Sequence, residues 1–144
     1  MSRENVELVR RAYDYFRSTG APAAHEMSPD FVWDMSTFAG WPEKQVYEGP
    51  DGALEFLTAW VSAWEDWELE TIEVVDAGER VVAIQRQRGK AKESGITVDM
   101  VFAQVWTARD GRLVRMEMYA DPAEALEAVG HEPSKEGQGR PPAR

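Results

Sequence analysis

From about residue 67 onward the chain alternates apolar and polar side chains, whereas upstream its apolar residues recur at helical spacing. The alternating half divides into runs at about 67–76, 80–91, 96–108 and 112–120, broken only at Ala77-Gly78-Glu79, Glu93-Ser94-Gly95 and Arg109-Asp110-Gly111. Connections this short join strands only as antiparallel hairpins. A meander of this size must bury one face, and the helical segments before it are the available cover.

Residues 3–18 carry Val6, Val9, Tyr13 and Phe16 on one side of a helical wheel, with Arg10, Arg11, Asp14 and Arg17 elsewhere, so an amphipathic helix is predicted to end near Gly20. The stretch "APAAHEMSPD" permits a short second helix before Ser28-Pro29-Asp30 breaks it. A strand at 31–36, a turn at Gly40-Trp41-Pro42 and a brief strand in "QVYEG" follow. Gly49-Pro50-Asp51-Gly52 then starts a helix reaching about residue 65, with Leu54, Leu57, Trp60, Val61 and Trp64 on its buried side. After the meander, Asp121 reads as an N-cap, with Pro122 at the first helical position and Glu124 three residues after the cap, opening a short helix to Val129. The whole is an α+β domain over 1–130, a strongly curved antiparallel sheet wrapped around N-terminal helices. The remainder, 131–144, "HEPSKEGQGRPPAR", has the composition of a disordered tail.

Composition removes several classes of function. The 144 residues suit one domain with a sizeable core, and 43% apolar content with six tryptophans is globular. There are no cysteines, so disulfides, thiolate metal sites and cysteine nucleophiles are impossible. His25 and His131 are the two histidines, too few for a histidine-rich metal site, so neither metal nor organic cofactor is expected. A formal net charge of −10 repels nucleic acid. With no apolar run near the length of a membrane span and no signal-peptide core after Met1-Ser2-Arg3-Glu4, the cytoplasm is the expected compartment. The long strands are apolar on both faces. Alternation that places Phe102, Gln104 and Trp106 on the face away from the helices would leave an apolar row for a homodimer to cover.

The phrases "ENVELVRRAYDYF", "SPDFVWDM", "VYEGPDGALEFLTAW" and "FAQVWTARDGRLVRMEMYADPAEALEAVG", in this order, resemble the SnoaL-like branch of the nuclear-transport-factor-2-like superfamily, which also holds ketosteroid isomerases and limonene epoxide hydrolases. The resemblance spans about 3–130 and implies a cone-shaped barrel around a deep, mostly apolar pocket. It implies site residues as well. Tyr13, seven residues before Gly20, matches the isomerases' oxyanion-donating tyrosine, the alternative being a core aromatic with a satisfied hydroxyl. The isomerases' base position falls on Met35, one residue from Asp34, and alternation sends Met35 inward and Asp34 outward unless a bulge intervenes. The second oxyanion donor falls on Ala103, and the epoxide hydrolases' last-strand acid on Met118.

Sharing parity with Ala103, Asp99 becomes the candidate acid inside the pocket, with Arg86 or Arg88 on the neighbouring strand as its partner; the alternative is a partly solvated ion pair. Trp60, Trp64, Trp67 and Trp106 with Met116 and Met118 are either core or the wall of a cavity suited to a flat apolar or polycyclic ligand. Two functions stay open: a cofactor-independent isomerase, cyclase or dehydratase using Asp99, Tyr13 and Asp34, or a binding or interaction domain without catalysis.

Overall fold

The computed structural model describes residues 2–38, 41 and 44–130; the expected tail at 131–144, and Gly40 and Pro42 of the expected turn, lie outside the described residues. Helix α1 (Ser2–Thr19) buries Leu8, Val9, Ala12, Tyr13 and Phe16, a stripe spaced for one helix face. It ends where Gly20 takes φ +78° and its N–H reaches the Phe16 carbonyl at 2.7 Å, a conformation glycine adopts without steric cost. The expected second helix is a single 3-10 turn at Ala24–Glu26, tied to α1 by the Arg11–Glu26 ion pair at 3.0 Å.

Strands β1 (Met27–Asp34) and β2 (Val46–Glu48) lead into α2 (Gly49–Ser62). This helix buries Gly52, Ala53, Phe56 and Trp60, while Leu54, expected inside, is 46% exposed. The cause is Gly52: a Cβ there would lie 2.8 Å from a Tyr47 backbone carbon, so close contact with β2 turns this side of the helix inward. Leu57 and Val61 flank the buried stripe, and Trp64 already belongs to the next strand.

The meander is β3 (Trp64–Ala77), β4 (Arg80–Ala91), β5 (Thr97–Arg109) and β6 (Arg112–Tyr119), followed by α3 (Pro122–Ala128). Asp121 caps α3 as expected, its carboxylate accepting from the Ala123 N–H at 2.9 Å. The six strands form one curved, unclosed sheet in the order β2-β1-β6-β5-β4-β3. The β1–β2 pair and each pair along β3–β4–β5–β6 run antiparallel, but β1 lies parallel to β6, so the sheet is mixed rather than wholly antiparallel. Among the described residues no helix is long and apolar enough to cross a membrane.

Register fixes the faces. Ile84 pairs with Ala103, Gln85 with Phe102, and Gln104 with Met118. Phe102 and Trp106 join the main core with α1 and α2, whereas Val82, Ile84, Ala103 and Val105 form a second cluster against Ala125 and Leu126 of α3. The parity assigned to β5 from Ala103 is therefore reversed: Phe102, Gln104 and Trp106 face the helices, and Ala103 and Asp99 face away. A shift of one residue exchanges every side chain between faces. Part of the outer apolar surface is covered by α3 rather than by a second copy.

Candidate functional site

Between α1, α2 and the inner sheet face lies an apolar cavity of about 50 Å³. Its wall includes Tyr13 and Phe16 of α1, Phe56 and Trp60 of α2, Trp33 of β1, and Gln104, Trp106 and Met118 of the sheet. Such a volume holds a few waters, against the roughly 300 Å³ or more of a site for a drug-sized ligand. A shallower recess of about 340 Å³ adjoins it, and Phe16, Trp67 and Leu69 belong to both walls.

The polar groups around the cavity are ordered by donors that cannot accept. Trp106 donates its indole N–H to the Tyr13 oxygen at 2.8 Å, and the Tyr13 hydroxyl donates to Oε1 of Gln104. Trp60 donates to Oε1 of Gln87 at 2.6 Å. Arg17 donates to Thr71, whose hydroxyl donates to Oε1 of Gln85 at 3.0 Å. Each chain ends on a glutamine carbonyl, and at Gln87 the donor-only indole fixes the amide orientation. It also leaves buried donors over: Nε2 of Gln87 and the indole nitrogens of Trp33, Trp64 and Trp67 have no partner among the described residues, while Gln85 contributes a hydrogen bond to the Tyr13 phenol. Burial pushes the Tyr13 phenol well above its ordinary pKa, against the opposing effect of the Trp106 hydrogen bond, so it stays neutral.

Of the expected site residues, Tyr13, Trp60 and Met118 line the cavity. Met35 and Met116 are fully buried in the surrounding core, and Trp64 packs against that core, but none of the three is in the cavity wall. Asp99, expected inside, is on the outer face: Arg86 grips it at 2.9 and 2.7 Å, and the two side chains are 40% and 45% exposed. That bidentate contact holds the Asp99 carboxyl below the usual carboxylate range. Arg88 is likewise outside, 3.3 Å from Glu68, and Ala103 lies under α3. Asp34 is buried yet points away from the cavity, bound to Arg115 and accepting the Ser36 N–H at 2.8 Å, so both it and Met35 follow plain alternation.

Gln85 and Gln87 are inward polar residues that the sequence reading did not assign, and Gln104 is one that it placed on the opposite face. The signal for the first two was their parity with Val81 and Ala83, but Val82 and Ile84 between them are equally apolar.

The cone of helices against a curved sheet has a named counterpart: the SnoaL-like domain family matches residues 9–116. The chain belongs to the SnoaL-like family. Solved structures agree. TerC, co-crystallised with polyporic acid, is 25% identical, with a TM-score of 0.66 over 88% of this chain and 98% of its own. A nuclear-transport-factor-2-like protein of unknown function from Burkholderia pseudomallei is 24% identical, TM-score 0.69, over 88% of this chain and 98% of its own. A SnoaL-like polyketide cyclase candidate from Jannaschia is 24% identical, TM-score 0.68, over 91% and 94%. No curated protein matches in sequence. At 24% identity the latter two establish fold alone. Within this SnoaL-like chain the cavity wall is aromatic and thioether, and among the described residues none of its members is acidic.

Proposed function

We propose that this SnoaL-like protein binds a small, flat, apolar molecule in the cavity and its adjoining recess, and does not transfer protons through a carboxylate. One observation carries the reading: the candidate acids Asp34 and Asp99 both lie outside a wall built from Trp, Phe, Met, Tyr and Gln. Isomerisation or cyclisation by general base needs an acceptor within hydrogen-bond reach of the substrate carbon acid. Tyr13 does not supply one, because its phenol is neutral and its hydrogen is engaged by Gln104. The aromatic wall offers stacking area, and Met118 an adaptable edge. TerC, crystallised with a small molecule, supports ligand binding in this fold.

Calorimetric titration with naphthalene-2-carboxamide is expected to give one site per chain, abolished by Leu57→Trp, which fills the cavity from the α2 side. Proton NMR in deuterium oxide should show no exchange into cyclic enones beyond the protein-free rate, for wild type and Asp99→Asn alike. Enzyme-dependent exchange would overturn the reading in favour of an isomerase or cyclase.

Self-association is proposed on a different ground from the inward row. The outer face leaves Val101 42% exposed beside the Arg86–Asp99 and Arg88–Glu68 pairs, an arrangement of alternating charge that a second copy could complement about a two-fold axis. Sedimentation equilibrium at micromolar concentration is expected to give a dimer that Val101→Lys dissociates; a monomeric wild type removes the idea.

A further inference from the structure

The recess beside the cavity contains one charge. Arg17, in the last turn of α1, is the sole ionisable cation among the described residues lining either space, and no acidic residue lines them. Its guanidinium reaches across to Thr71 of β3 and stands 5.8 Å from the Tyr13 ring centroid. Its carboxylate partner, Asp14, is 3.6 Å away and 80% exposed, a contact worth little in water. Arg17 itself is 37% exposed, so donors remain open toward the recess. Trp67, in the wall of both spaces, adds a buried indole N–H without an acceptor. Arg17 thus offers its donors beside the aromatic cavity, in a chain whose net charge of −10 otherwise repels anions.

We propose that Arg17 receives the carboxylate of a small aromatic acid whose ring occupies the cavity. This rests on the reading that the cavity binds a flat apolar molecule, and it adds the ligand's charge and its orientation: ring inward, carboxylate at the recess. The recess supplies the volume that the cavity alone lacks. A planar guanidinium suits a planar carboxylate, whose oxygens can displace the exposed Asp14 and accept from Arg17 in its place.

The test is calorimetric titration of the full chain with naphthalene-2-carboxylate, its isosteric carboxamide, and 2-naphthylmethylammonium. The carboxylate is expected to bind about tenfold or more tighter than the carboxamide, as charge-assisted hydrogen bonds allow, and the ammonium to bind weakest. Arg17→Gln should bring the carboxylate down to the level of the carboxamide while leaving the carboxamide unchanged, and Arg17→Lys should restore part of the difference. Equal affinities of carboxylate and carboxamide in the wild type, or equal weakening of both by Arg17→Gln, overturns the proposal and leaves the cavity reading standing. Absence of binding by all three overturns the cavity reading and the proposal with it.

Discussion

Replacing Arg115 by Leu should destabilise the fold by roughly 2 kcal/mol, the cost of leaving a buried carboxylate without its counter-ion, reduced because the arginine side is partly solvated. The Asp34 side chain is 8% exposed and Arg115 41%. Arg115 also lies 3.5 Å from Glu117, which sits opposite Asp34 in the β1–β6 register. Its removal therefore leaves two carboxylates side by side, with the Ser36 amide as the remaining bond to Asp34 among the described residues. Adding Asp34→Asn to Arg115→Leu should recover at least half of the loss, because it removes the uncompensated charge and keeps an acceptor for that amide. Urea unfolding of both variants and wild type checks this. A neutral Arg115→Leu would mean that Asp34 is solvated rather than enclosed. Asp34→Asn alone should leave ligand affinity unchanged, since Asp34 is on the far side of β1 from the cavity wall.

That acid is where reading the sequence succeeded on geometry and missed on chemistry. Plain alternation from Phe31 through Trp33 to Met35 puts Asp34 outward, and the structure agrees. Its partner comes from β6, 81 residues later in the chain, through a parallel pairing that no local pattern encodes. Hairpins were legible for the opposite reason. Gly78 and the Asp110-Gly111 pair adopt positive φ within tight turns, and those residue types announce such turns directly. Parity in the meander was not legible, because β4 and β5 are apolar on both faces where α3 covers the outer one. The helix itself was visible from Asp121 and Pro122, but its docking against Val82, Ile84, Ala103 and Val105 was not. With that cover missing, the outer apolar surface pointed to a dimer, and the count from Ala103 carried Asp99 into the pocket.

The three inward glutamines follow from the same reversal. Had Ala103 been assigned outward, Gln104 would have moved into the cavity wall and Gln85 and Gln87 into the layer behind it, replacing Arg86 and Arg88. The chemistry changes with the parity: amides and indoles replace an acid between two arginines. A cavity whose wall has no carboxylate favours binding of a molecule over abstraction of its protons.

Tyr13→Phe should cost about 2–4 kcal/mol, more than a typical buried hydroxyl, because one deletion orphans two groups at roughly 1–3 kcal/mol each. Trp106 loses the acceptor for its indole N–H, and Gln104 loses the hydrogen on its Oε1, with only a 3.9 Å contact from its Nε2 to the Met118 sulfur left. Substituting Gln104→Leu as well should recover about 1 kcal/mol, since the stranded carbonyl then goes too, giving a double-mutant coupling that an ordinary packing defect would not show. The pH dependence provides a second signature. Burial raises the folded-state pKa of the phenol above its ordinary value of 10.0, so the folded protein keeps a proton that the unfolded chain releases. The stabilisation is whole below pH 10 and declines as pH rises beyond it, by up to about 1.4 kcal/mol per pH unit for one group. Tyr119, whose pKa burial and then Glu117 also raise, keeps a smaller decline in the variant. Urea unfolding at pH 9 and pH 11 is therefore expected to show a steeper loss for wild type than for Tyr13→Phe. Parallel losses would mean that the phenol is already open to solvent and that the Trp106–Tyr13–Gln104 chain does not close the cavity.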